Sequence, residues 1–470
     1  MVSSPAKVTG PPPSRPVSLA SPDQLADPAW AWAAYEPSAA RPWNIALAAH
    51  LHRRAAFGAS WQQLQQALSD GPQRTIDRLL RPQADVDIYN RTQDDYEDAV
   101  RSVNELRAWW LRRMIESPHP LLEKMTLFWH SYFATNGGAF NQAGLMTNHL
   151  RLLRRHALGS FAPLLQDISR DPALLVWLGA DANRKAAPND SFVRPLLETF
   201  TLGPGHVSTE DIQEAARAFT GWFVFRDQLR YIPREHDEKP VRLLGREGHV
   251  TGDDVIKTLL DQQATPRTVV RRLYRWLISE QDEPSETLVA PLAATLAEDY
   301  NIAAVVETML RSNLFFSGQS YRARVKCPVE FAVGIVTAME GMVSTTQLAQ
   351  DLAELGQDLC HPPTVEGWAG GRHWIDSAAL AQRHNLALAL LQGDKPYGNK
   401  LDPWAVAQRH EQASLESATQ FLLKLLVQDD VDPDVRDVLL EAARDAEGDT
   451  PTFLRRLAHM AVTLPEYQLA

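Results

Sequence analysis

The chain has 470 residues, of which 44% are hydrophobic and 22% charged, and a net charge of −11. That length suffices for a large core, or for two or three helical subdomains, because single cores stop growing at roughly 250–300 residues. The negative balance argues against non-specific binding to nucleic acid or an anionic membrane surface, and two cysteines, Cys327 and Cys360, cannot make a disulfide framework.

Residues 1–42 are rich in Pro, Ser and Ala and read as a flexible lead-in, whose end is expected to pack through Trp30 and Trp32. This opening has no apolar stretch like a signal-peptide core, and no run in the chain approaches the roughly 18 apolar residues of a membrane span. A helical domain is expected over 43–470, with 43–245 and 246–470 as subdomains. Two buried thiols are expected in preference to one disulfide.

In LLEKMTLFWHSYFAT the residues Met125, Phe128, Trp129, Tyr132 and Phe133 recur at helical spacing and form one buried stripe, with His130 off its centre. Pro195 in SFVRPLLETFTLG is tolerated only in a first turn, so that helix is predicted to start near Val193 or Arg194 and to end at Gly203-Pro204. STEDIQEAARAFTGW opens with Ser208 as N-cap and Asp211 three residues on, and Gly221 stops it. Between 222 and 245 short β-branched and aromatic pieces alternate, which predicts a small antiparallel hairpin. Helical patterns resume at DDVIKTLLDQQ and run to the end, broken by the loop PPTVEGWAGGRHWID. The fold class expected is therefore all-α, in several packed layers, with one β-hairpin insertion near 222–245.

KMTLFWHSYFAT, NHLRLLRRHALGSF, NRKAAPNDSF, LLETFTLGPGHVSTEDIQEAARAFTGW, VKCPVEFAVG and PPTVEGWAGGRHWIDSAALAQRHNLA follow in this order. They resemble successive blocks of the bacterial domain-of-unknown-function 1800 family, from about residue 44 to the C-terminus. The resemblance implies a large, mainly helical protein and brings no reaction with it. It also implies a partner, since such proteins are often encoded beside domain-of-unknown-function 1501 proteins, which look like exported phosphatase or sulfatase relatives. This chain departs from the family pattern at His130-Ser131-Tyr132-Phe133, where HNHF is usual, at Pro195, where a Glu is usual, and at Cys327, where Ser is usual.

His130, Glu198, His206, His236 and Asp237 form the sharpest chemical constellation. Imidazole with carboxylate serves general acid–base chemistry and binds borderline metals. A divalent metal or a haem is compatible with such a set, although no HExxH, HxH or CxxC motif specifies either. Arg194 and Arg217 would hold an anion beside it. Each residue also has a structural reading: Glu198 pairing with Arg194 one turn earlier, His206 bonding a neighbouring carbonyl, and His236-Asp237 lying in a polar turn. Trp368, Trp374 and Arg372 in the Trp-Gly loop suit stacking of a sugar ring or cofactor with fixed donors nearby, or else a lid packed on the core. The helix from His149 to His156, with Arg151, Arg154 and Arg155, is either an anion-binding or an ion-paired face. Two functions follow from these residues: an enzyme with its site near 198–237, or a non-catalytic partner using the Trp-rich loop and basic helix as contact surfaces. The missing signal core points to the cytoplasm, and the family's company to the cell envelope by export with a partner.

Overall fold

The computed structural model describes residue 17 and residues 20–82, 86–139, 143–391, 396–398, 400–444 and 449–470. The flexible character expected of residues 1–16, 18 and 19 lies outside them. The rest of the opening segment carries two short helices, Pro22–Ala26 and Pro28–Trp32, started by Ser21 and Asp27 as N-caps. Trp32 fixes this segment to the body by donating its indole N–H to the carbonyl of Leu288 (2.9 Å).

Among the described residues, α-helices make up nearly all regular structure, and the sheets are two antiparallel pairs. Helix ends follow from local chemistry. The Val193–Glu198 helix places Pro195 in its first turn, where the missing N–H costs nothing. The Thr209–Ala218 helix begins with the reciprocal cap in which Ser208 Oγ accepts from the Asp211 N–H (3.0 Å) and Asp211 accepts from the Ser208 N–H (3.2 Å). Gly203 and Gly205 turn the chain between these helices with φ of 85° and 83°.

The β region holds two hairpins rather than one. Strand β1 (Trp222–Phe225) pairs with β2 (Gln228–Tyr231). Arg226 and Asp227, at φ of 50° and 60°, make the two-residue turn whose hand matches the strand twist. Strand β3 (Val241–Leu243) pairs with β4 (Arg246–Gly248), so the β insertion runs three residues beyond the expected limit of 245.

Among the described residues, two buried clusters form the core. The first draws on residues 17–316; the second joins residues 48–150 to residues 325–467. They do not divide at residue 245. The Ile45–Ala55 and Pro120–Tyr132 helices serve both: Met125, Phe128 and Trp129 face the first cluster, Leu127 the second. This arrangement explains His130. It lies off the apolar stripe, as expected, yet it is fully buried, because the second cluster covers the opposite side of its helix.

Residues 467–470 fold back on residues 324–326. Leu469 bridges Val325, the Lys326 N–H donates to the Gln468 carbonyl (2.9 Å), and the Ala470 N–H donates to the Arg324 carbonyl (2.8 Å). Beside this clamp, Glu330 accepts from both Lys124 and Arg324, all three side chains being buried. The two cations and the Cys327 N–H (2.9 Å) overcome the burial penalty and hold the Glu330 carboxyl far below the usual carboxylate range. Cys327 and Cys360 are both free and buried.

Candidate functional site: two clefts around an arginine-rich helix

The Ala264–Leu277 helix buries Val269, Val270, Leu273 and Leu277 in the first cluster. Helical spacing then sets Arg267, Arg271, Arg272 and Arg275 away from that core. These arginines border two adjoining clefts. One, of about 570 Å³, lies against the turn that carries Glu198, Gly203 and His206. The other, of about 390 Å³, lies against the Pro120–Tyr132 helix and the Trp-Gly loop, and Tyr132, Trp276, Trp368 and Trp374 line it. Arg272 and Arg275 line both. Volumes of this size are those of small-molecule sites.

Three of the four arginines are answered by acids. Arg267 and Arg271 both hold Glu286 (2.7 Å each), and Arg275 holds Glu283 (2.8 Å). Arg272 is different: among the described residues no carboxylate lies within ion-pair range of it, and its guanidinium sits 5.7 Å from the centre of the Tyr132 ring. Tyr132 is itself fixed, its hydroxyl donating to the carbonyl of Phe200 (2.9 Å).

Aromatic rings and charged side chains line the second cleft together. Arg324 lies 4.5 Å and Lys124 5.6 Å from the centre of the Trp276 ring, and Arg324 lines the cleft with that ring. Glu280 accepts the Val325 N–H and lines the cleft with Glu366. Cys327 also lines it, but burial pushes its thiol up to about 12, so it is protonated and a poor nucleophile at neutral pH. Gly367 lets the loop approach: at φ 81°, a side chain there would collide with the carbonyl oxygen of Ser131.

The residues singled out from the sequence fall into separate groups. Glu198 and His206 share the first cleft. Arg194 is an exposed neighbour, paired with Asp190 (3.0 Å) and 3.8 Å from Glu198. His236, Asp237 and Arg217 line neither cleft and form a network of their own. His236 Nδ1 donates to the Thr220 carbonyl (2.9 Å), and Asp237 accepts from Arg217 Nε (2.9 Å) and from the Lys239 N–H (3.0 Å). The hydrogen bond from Arg217 holds the Asp237 carboxyl below its usual range. His130 Nε2 accepts the Cys360 N–H (3.1 Å), and its ring packs 5.5 Å from Trp368, so it supports the loop from beneath. Burial, followed by the neighbouring His149 and His361, keeps it neutral, far below the ordinary histidine range. Trp368 and Trp374 line the second cleft, whereas Arg372, in the turn Gly371–Trp374, is exposed beside it. Among the described residues no three His, Cys, Asp or Glu side chains are grouped so as to hold a metal ion.

The basic helix is ion-paired except at Arg155, which is exposed with no ion pair among the described residues. Arg151 meets Glu97 (3.1 Å) and Asp98 (2.8 Å), Arg154 meets Glu123 (3.1 Å), and His149 and His156 meet Asp171 (2.6 Å) and Asp167 (2.8 Å). Sequence reasoning passed over Arg272, Arg275, Glu280 and Arg324. A signal for the first two was present in TVVRRLYRWL, where the apolar positions leave the arginines on one side of the helix.

No helix among the described residues is long and apolar enough to cross a membrane. No curated protein and no solved structure matches the chain. The model of a family described as protein of unknown function, domain-of-unknown-function 1800, matches residues 50–469, nearly the whole length. With that coverage the chain belongs to the domain-of-unknown-function 1800 family.

Proposed function

We propose that the protein is an enzyme acting on a small anionic molecule with a flat or apolar body, bound across the two clefts of the Ala264–Leu277 helix. The observation that carries this reading is Arg272, a guanidinium at the junction of both clefts that no described carboxylate neutralises, while its three neighbours are paired. A phosphate, sulfate or carboxylate group would sit there, since a guanidinium fork matches such oxyanions. Trp368 and Trp374 would flank the body of the molecule, as tryptophan faces do for sugar rings. Glu198 and His206, across the first cleft, are the candidate acid and base. His236, Asp237 and Arg217 support the β insertion in this reading.

Inorganic phosphate and sulfate, followed by a panel of sugar phosphates and sulfates, test the idea by calorimetry. Arg272→Ala should weaken phosphate binding by about 10- to 100-fold, the worth of a charge-assisted pair. Arg372→Ala should change it little. Equal binding by the Arg272→Ala protein and the wild type would sink the proposal. With a ligand in hand, Glu198→Gln and His206→Asn should keep binding and lose turnover.

A second reading rests on a different surface. The β1–β2 hairpin leaves Phe225 and Tyr231 61% and 54% exposed, and large exposed aromatics favour a protein contact. In this reading the chain is a non-catalytic companion of an exported domain-of-unknown-function 1501 protein and reaches the cell envelope with it. Co-purification that Phe225→Ala with Tyr231→Ala abolishes, while phosphate binding is unchanged, would favour it over the enzyme.

A further inference from the structure

Away from both clefts, several cations are buried without an acid to answer them. Arg53, Arg54, Lys326 and Arg383 are all buried, and among the described residues none of them has a carboxylate partner. Two donate to fixed amide oxygens, although Arg54 Nε and Nη1 and Arg383 Nε have no hydrogen-bond partner among the described residues. Arg54 donates to the carbonyls of Ile278 (3.1 Å) and Ser320 (2.8 Å), and Arg383 to the Lys326 carbonyl (2.7 Å) and the Gln468 side chain (3.0 Å).

The other two, Arg53 and Lys326, share a cavity. Arg53 gives Nη1 to Gln428 (2.8 Å) and lies 5.8 Å from the centre of the Tyr321 ring, while among the described residues its Nε and Nη2 are buried with no hydrogen-bond partner. Lys326 rests its ammonium 3.5 Å from the centre of the Tyr467 ring. Both side chains line one cavity of about 30 Å³, whose other walls are mostly apolar. The acids nearby are already engaged: Glu330 by Lys124 and Arg324, Asp430 by Arg322 (2.8 Å) and the Tyr321 hydroxyl (2.8 Å).

We propose that this cavity binds one small monovalent inorganic anion of the halide class, held between the Arg53 guanidinium and the Lys326 ammonium. Two like charges facing each other in a poorly polarisable wall repel, and an anion between them turns that repulsion into two attractions. Size sets the class. A water needs roughly 10–15 Å³ of such space, so the cavity has room for a halide and too little for phosphate, sulfate or an organic acid. Burial first, and Arg53 second, hold the Lys326 amine well below the ordinary lysine range. A bound halide supplies the missing charge. The site also joins distant parts of the chain, since Arg53 lies on the Ile45–Ala55 helix, Gln428 caps the Leu415–Val427 helix, and Tyr467 lies in the Pro465–Gln468 turn that clamps residue 326. Occupancy should therefore stabilise the whole fold, independently of any ligand in the clefts.

The test compares thermal unfolding of the full chain in sodium chloride, sodium bromide and sodium gluconate at equal ionic strength, gluconate being too large for the cavity. Halide should raise the midpoint by about 1–2 °C for each tenfold increase above half-saturation. Lys326→Met, which keeps the length and removes the charge, should abolish that dependence, and a crystal grown in bromide should show an anomalous peak between residues 53 and 326. Where the variant fails to fold, the bromide peak in the wild type decides. Identical melts in chloride and gluconate with no peak in the cavity would overturn the proposal, as would a halide dependence that survives Lys326→Met unchanged.

Discussion

Glu330 illustrates how a single buried carboxylate is retained. Lys124, Arg324 and the Cys327 N–H all donate to it, and none of the side chains concerned reaches solvent to a useful degree. Such a trio is not a strong source of stability in itself, because desolvation offsets much of the attraction, but removing its one anion leaves two buried cations unmatched. Glu330→Gln should therefore cost about 3–5 kcal/mol in a denaturant titration, although the side chain keeps its size. A loss below about 1 kcal/mol would mean that water or another anion reaches the cations. Gly367→Ala should fail for a different reason, since backbone at φ 81° and the Ser131 carbonyl leave no room for a methyl group. We expect it to loosen the Trp-Gly loop and quench or shift the fluorescence of Trp368 while leaving helix content unchanged.

Elements whose limits depend on neighbouring residues were legible in the sequence. Pro195 set the start of one helix and Ser208 the start of the next because a cap is a local matter of one hydroxyl and one N–H. Ser208→Ala is expected to lower stability by about 1 kcal/mol, measured as a shift in the denaturation midpoint without loss of the Thr209–Ala218 helix. What stayed hidden needed a partner far away in the chain. The stripe on the Pro120–Tyr132 helix could be read from spacing, whereas the burial of His130 depends on a second core cluster contributed mainly by residues beyond 325. The clefts were hidden for the same reason: Glu198 and His206 come from one turn, but the guanidinium facing them comes from a helix some seventy residues on, and Trp368 from a loop a further hundred along. The second hairpin escaped notice because its turn, Leu244-Gly245, follows only three paired residues.

At the scale of the whole molecule, buried histidines set the acid limit. Burial lowers His52 to about 4, and His50 and His130 lie well below the ordinary value. Each is neutral in the folded chain and gains a proton near 6.5 when unfolded. Their folded values are depressed, so the stability they confer is complete above pH 6.5 and is lost as pH falls toward the folded values. Melting temperature should thus drop steadily from pH 6.5 to 4, and His52→Gln should flatten that drop by on the order of 3 kcal/mol. A melt indifferent to pH across this window would show that these rings are hydrated. Assembly in the cell is constrained by the clamp of residues 467–470 on residues 324–326. Synthesis proceeds at roughly 5–20 residues per second. For the many seconds after the Ile45–Ala55 helix has emerged, Arg53 has no Gln428 to hold it, and Lys326, once made, still waits for Tyr467. A nascent chain that stops short of residue 467 therefore carries its future interior charges in the open, which makes any ribosome-stalled or truncated product a substrate for chaperones and proteases rather than a smaller working protein.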